Sequence, residues 1–281
     1  MKAILVPTDF SKCAYNAMHF AIEIAKVSKA KIILLHTYQL PVPPPEDQMS
    51  PVSFFEIKEE NINRLKALVE NEFNLEKTNI HLETECIVRA GFAVDEIIDV
   101  AQENNVGLIV MGTQGASGFI QKYILGSNTA NVIAKSKFPV MAIPEDAKHL
   151  GFSKILFAAD FHEIKSNSSL HTLMKLALLF NSTIDLFTVR EDKEQLPTLT
   201  EAIEGLSLDK YFERIPHRFQ TAVNENTAQA IDKFVKESRA NLLVTISHKH
   251  GYLNLLFNKS ITRELAFHTS TPLLCLPEQL E

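Results

Sequence analysis

Several things are scarce in this sequence, and each shortage removes a class of function. Cysteine occurs only as Cys13, Cys86 and Cys275, odd in number, far apart and set in apolar stretches. That fits reduced core thiols better than a disulfide framework or a zinc cluster. Basic residues are outnumbered, 28 Lys and Arg against 34 Asp and Glu for a formal net charge of −6. Phosphate backbones are held by clustered cations, so no nucleic-acid partner is expected. No apolar run approaches the roughly 18 residues that cross a bilayer, and the apolar stretch Ala3 to Val6 is cut short by Pro7 and Asp9. Neither a membrane partner nor secretion is expected, and the cytoplasm is the natural compartment. The G-x-x-x-x-G-K-[ST] motif is absent, and no G-x-G-x-x-G follows the first apolar run, which removes P-loop NTPases and Rossmann dinucleotide enzymes.

What is present is a chain of 281 residues with a globular balance, 46% hydrophobic and 22% charged, long enough for two domains of roughly 100–200 residues. The chain also repeats itself. KAILVPTDF at Lys2 to Phe10 returns as KILFAADF at Lys154 to Phe161, and AKIILLHTY at Ala30 to Tyr38 returns loosely as STIDLFTVR at Ser182 to Arg190. Ala93 to Thr113 aligns with Thr227 to Ser247, and FPVMAIP at Phe138 to Pro144 with TPLLCLP at Thr271 to Pro277. Four blocks in one order predict duplicated domains, at 1–146 and 152–281, with Glu145 to Phe152 as linker. The Pro-rich loop Pro41 to Pro51 has no counterpart in the second half.

In the first half, apolar runs at Ile4 to Val6, Ile32 to Leu35, Ile80 to Val88, Leu108 to Met111 and Val140 to Ile143 read as strands. They alternate with helical periodicity at about 11–28, 53–73, 93–104 and 127–136. Strands apolar on both faces need helices on both sides, so the pattern predicts an α/β fold of two tandem, doubly wound, five-stranded parallel-sheet domains. A ligand is expected beyond the carboxyl ends of the strands, near Pro7 to Asp9, Thr37 and Met111.

Four of the nine glycines, Gly112, Gly115, Gly118 and Gly126, fall within 15 residues after the fourth strand, and Ser127 and Thr129 follow at a helix start. Glycines let main-chain amides approach an oxyanion, and a helix start adds unpaired N–H groups and a positive dipole end. The hydroxyls of Ser127 and Thr129 serve either as helix cap or as phosphate donors. Asp9, at the exit of the first strand, faces the same crevice. Its two roles are a contact to Mg²⁺, Mn²⁺ or ribose and a plain N-cap for the helix starting near Ser11.

LVPTDFS at Leu5 to Ser11, LLHTY at Leu34 to Tyr38, and MGTQG followed by GSNTANVI resemble the universal stress protein family. The resemblance covers nearly the whole chain as a tandem pair. It implies the adenine nucleotide alpha hydrolase-like sandwich and binding of ATP or AMP in a stress-response protein. Carried over, Pro7, Thr8 and Asp9 lie at the ribose and metal side, Thr37 offers backbone contacts to adenine, and Met111 and Gly112 flank the ribose. Gly115, Gly126, Ser127 and Thr129 surround the phosphates. The family's dimers imply an internal pseudo-dimer here through Val140 to Ile143 and Leu273 to Leu276, with a homodimer as a further possibility.

This sequence departs from the family at two points. Ten residues, Ala116 to Leu125, separate Gly115 from Gly126 where the family pattern has nine, and Ala116 stands where members often carry a basic residue. In the second half Ile246 and Lys249 stand opposite Gly112 and Gly115, and Lys259-Ser260 opposite Gly126-Ser127. Side chains there obstruct a backbone cradle, so that half is expected to lack the nucleotide mode although Asp160 is retained.

Other candidates read as structural. His248-Lys249-His250 has no Cys or carboxylate near it in sequence and reads as a surface loop. His36 ends an apolar strand and reads as a satisfied imidazole. Ser117, Ser127 and Ser260 lack His and acidic partners for a triad. Lys58 to Phe73 reads as a solvated surface helix. Three functions follow: a nucleotide-dependent regulator with no catalytic residues, a slow ATPase or nucleotidyl-transferring enzyme, or a nucleotide-free interaction module.

Overall fold

The computed structural model describes residues 1–39, 52–72, 82–113, 126–148, 151–159, 164, 167–190, 199–224, 226–247 and 271–278. The Pro41 to Pro51 loop, Gly115, the Ala116 to Leu125 segment, Asp160, His248 to His250 and Lys259-Ser260 lie outside them.

The first half runs β1 (Ala3–Pro7), α1 (Lys12–Ser28), β2 (Lys31–Tyr38), α2 (Val52–Glu72), β3 (Thr84–Ala90), α3 (Ala93–Glu103), β4 (Leu108–Gly112), α4 (Ser127–Lys135) and β5 (Val140–Ile143). The second runs β6 (Lys154–Ala158), α5 (His171–Leu179), β7 (Thr183–Arg190), α6 (Leu199–Tyr211), β8 (His217–Val223), α7 (Thr227–Ser238), β9 (Leu242–Ser247) and β10 (Leu273–Pro277). The element order matches the expected alternation within the described residues.

Burial explains the layers. Ile4, Leu5 and Val6 are consecutive and 0% exposed, so both faces of β1 are covered, as parallel sheets require. Side chains alternate across a strand, and the core divides accordingly. Ile4, Val6, Ile32 and Leu34 face α1 and α2, while Leu5, Ile33 and Ile109 face α3 and α4.

The expected pair of five-stranded sheets is one sheet of ten strands, in the order β3-β2-β1-β4-β5-β10-β9-β6-β7-β8. Every neighbour pair is parallel except β5 with β10, which run antiparallel with Leu273 opposite Ala142, Leu274 opposite Met141 and Cys275 opposite Val140. Pairing these two strands satisfies main-chain groups that would otherwise lie on open edges.

One face of the sheet carries a core continuous from β1 to β7, whereas the other carries separate clusters around Leu5 and Leu156. Cys275 of β10 packs into the first-half cluster. Burial pushes its thiol up to about 12, in keeping with a reduced core thiol.

The segment read as a linker is partly core. Phe152 is fully buried between Phe20 of α1, ring centroids 6.2 Å apart, and Phe180 after α5, at 4.9 Å and edge-on. Asn16 of α1 holds the start of the same segment by donating to the carbonyls of Pro144 (2.8 Å), Glu145 and Ala147 (both 3.1 Å). Replacing Phe152 with Ala is expected to cost about 3–5 kcal/mol of unfolding free energy, the usual cost of deleting a buried phenyl ring. Urea denaturation reads this directly, and a loss below about 1 kcal/mol would contradict the packing role.

Candidate functional site

The chain leaves β1 towards β2 and β3 on one side, then returns to place β4 on the other. The carboxyl ends of β1 and β4 therefore flank a crevice where the crossovers diverge. Four segments build it.

The first is the turn from β1 to α1. The Thr8 N–H donates to the Leu35 carbonyl at 2.8 Å, and its hydroxyl oxygen accepts from the Phe10 N–H at 3.1 Å. The exposed Asp9 accepts from the Ser11 N–H at 3.0 Å, while the Ser11 side chain accepts from Ala14 N–H at 3.2 Å. The helix cap is thus Ser11 itself, and the capping role considered for Asp9 falls to its neighbour. Phe10 between them has φ of 62°, a left-handed conformation that costs a residue with a Cβ about 1–2 kcal/mol.

The second segment is the end of β2. Thr37 and Tyr38 lie there, and the Tyr38 carbonyl accepts from Gly91 N–H at 2.9 Å, tying in the turn between β3 and α3. His36 Nδ1 sits 2.8 Å from the Thr8 carbonyl. A carbonyl only accepts, so Nδ1 carries the proton and the imidazole is satisfied, as its sequence context suggests.

The third is the exit of β4. A Cβ on Gly112 would lie 2.8 Å from Cys13 Sγ and 2.9 Å from the Cys13 carbonyl carbon. Glycine is what lets α1 approach β4 this closely.

The fourth is the start of α4. Gly126 is the N-cap, with no side-chain cap bond, and its N–H donates to the Thr113 carbonyl. The first bond inside the helix is Ala130 N–H to Gly126 carbonyl at 3.0 Å, so the N–H groups of Ser127, Asn128 and Thr129 have no helical acceptor. The buried Thr129 hydroxyl donates to the Gly112 carbonyl at 2.7 Å. That hydroxyl therefore neither caps the helix nor stands ready for phosphate; it ties α4 to β4. Ser127 is exposed at the first helical position.

These segments enclose a cavity of about 320 Å³, within the range of small-ligand pockets. Of the residues singled out in the sequence, Pro7, Thr8, Asp9, Thr37, Met111, Gly112, Gly126, Ser127 and Thr129 all line it. Gly115 lies outside the described residues. The lining also includes Leu35, Tyr38, Gln39, Gly91, Ala93, Ile97 and Asn128, which the sequence reading missed. The glycine after β3 was the one available signal.

Leu35, Ala93, Ile97 and Met111 give the cavity apolar wall, suited to a flat ring system. The open N-terminus of α4 suits an anion. Asp9 is the one acidic residue among the described residues that line the cavity, and no three His, Cys, Asp or Glu side chains gather as a metal cluster among them. A lone carboxylate fits Mg²⁺ or Mn²⁺ only when ligand phosphates complete the shell. Gly112→Ala is expected to destabilise the fold by about 1–3 kcal/mol through the forced shift of α1. Calorimetric melting checks this, and an unchanged Tm would contradict the close approach.

The model of the Universal stress protein family matches residues 1–144. Universal stress protein MJ0577 of Methanocaldococcus jannaschii is 30% identical over 159 residues, covering 50% of this chain and 94% of its own length. Universal stress protein Sll1654 of Synechocystis is 29% identical over 143 residues, with 51% and 85% covered. A solved universal stress protein from Archaeoglobus fulgidus aligns over 98% of this chain and 96% of its own at a TM-score of 0.73 and 20% identity, a likeness of fold. Among the described residues no helix is long and apolar enough to cross a membrane. With the family match spanning just over half of the sequence and the fold likeness nearly all of it, the chain belongs to the universal stress protein family.

Proposed function

We propose that the cavity of the first half binds an adenine nucleotide, ATP or AMP, and that occupancy regulates the protein's interactions in a cytoplasmic stress response. The observation that carries this reading is the meeting of Pro7–Asp9, Thr37, Met111–Gly112 and the open start of α4 around one cavity. The apolar wall takes the base, and the N–H groups of Ser127, Asn128 and Thr129, with Gly115, take phosphate oxygens. Asp9 holds Mg²⁺ or Mn²⁺ against those phosphates, supplying countercharge where the nucleotide is most negative.

The reading is one of binding. A general base must reach the reacting water, and a metal ion would occupy Asp9, the lone acidic lining residue among those described. The two halves form an internal pseudo-dimer through β5 and β10, and the nucleotide shifts the population of conformations that a partner recognises, by no more than its differential affinity for them. Ile246, Lys249 and Lys259-Ser260 replace the motif glycines in the second half, which favours a nucleotide-free second half.

Titration calorimetry with ATP is expected to give one site per chain, strengthened by Mg²⁺. Asp9→Ala is expected to remove the Mg²⁺ dependence and leave a weaker, metal-independent affinity. No heat with either ATP or AMP would sink the proposal, and Mg²⁺ dependence that survives in Asp9→Ala would move the metal elsewhere.

A further inference from the structure

Phe10 precedes the helix cap of α1 and follows Asp9, yet it adopts the left-handed conformation, φ 62°. Bulky side chains rarely stay there unless the surroundings hold them. Three contacts do so. The Phe10 N–H donates to the Thr8 hydroxyl at 3.1 Å, and the ring lies 4.8 Å from the imidazole of His36. The guanidinium carbon of Arg64, from α2, sits 4.0 Å from the ring centroid. His36 is itself anchored through Nδ1 to the Thr8 carbonyl, so the imidazole and the guanidinium clasp the ring of Phe10, the residue next to Asp9. The exposed Arg64 makes no ion pair among the described residues; it sits over the face of Phe10, a geometry in which a cation is attracted by the ring.

We propose that Arg64 is a positioning residue for the cavity: by capping Phe10 it keeps the turn from β1 to α1 in its strained conformation, and that conformation aims Asp9 at the cavity. Arg64 is not among the lining residues, so it acts on the ligand through Phe10 and Asp9. The part concerning the ligand rests on the nucleotide reading given above; the part concerning the turn stands without it. When the clasp is loosened, the turn spends more time with Phe10 in an ordinary conformation, and the Ser11 N–H then loses its bond to the Asp9 carboxylate.

The test is amide hydrogen exchange by NMR on the full chain without nucleotide, for the wild type, Arg64→Ala, Arg64→Lys, Phe10→Gly and the double variant Arg64→Ala/Phe10→Gly. Surface cation–π contacts shift local equilibria by roughly two- to fivefold, so Arg64→Ala is expected to speed exchange at Ser11 by that factor, with Leu186 of β7 unchanged. Arg64→Lys, which keeps a cation over the ring, recovers part of the protection. Glycine adopts φ of 62° without a ring or steric cost, so adding Arg64→Ala to Phe10→Gly is expected to change nothing, the mark of action through Phe10.

Unchanged exchange at Ser11 in Arg64→Ala would overturn the clasp, as would an equal Arg64 effect in the glycine background. In a second arm, Arg64→Ala is expected to weaken the Mg²⁺ enhancement of ATP binding while leaving the metal-independent affinity alone. An unaltered enhancement would overturn the positioning of Asp9. Absence of nucleotide binding in the wild type would instead overturn the functional reading and leave the exchange result standing.

Discussion

The whole architecture depends on strands that must be covered on both faces. Ile4 to Val6 and Ile32 to Leu35 are runs with no exposed face, and only helices on either side keep such strands from water. Once that sandwich is built, polar function is driven to the strand ends. The end at which β1 and β4 diverge is a place where a crevice forms without cutting into the core. There the structure uses small residues and main-chain groups: Gly112 lets α1 press against β4, and Gly126 starts α4 with three amides unclaimed by the helix.

The same constraint explains how the halves differ. They share a sheet and, on one face, a core, and Phe152 and Cys275 of the second half pack against residues of the first. Opposite Gly112, however, the second half carries Ile246, whose side chain is committed to the core. Among the described residues, a glycine ends β4 and a core side chain stands at the equivalent position of β9.

Much of this was legible in the sequence because it is carried by local patterns. Apolar runs and helical periodicity placed α1, α3 and α4 to within a residue or so, and the strand ends, the glycines and the family resemblance together marked nine residues that line one cavity. What was illegible depends on long-range geometry. Phe10 has nothing in its sequence to suggest a left-handed backbone, and its contact with Arg64 joins residues on different elements. The Thr129 hydroxyl had two plausible uses and takes a third, the Gly112 carbonyl. Phe152 was read at the end of an interdomain linker because its aromatic partners, Phe20 of α1 and Phe180 after α5, lie far away in sequence.

The central claim is that main-chain donors at the start of α4 and the turn after β1 act together on one nucleotide. An NMR titration of isotope-labelled full-length protein with Mg²⁺-ATP tests this most directly. The account predicts saturable amide shifts at Ser127, Asn128 and Thr129 together with Thr8 to Ser11, and none in β8. Shifts absent at α4, or largest in the second half, would contradict it.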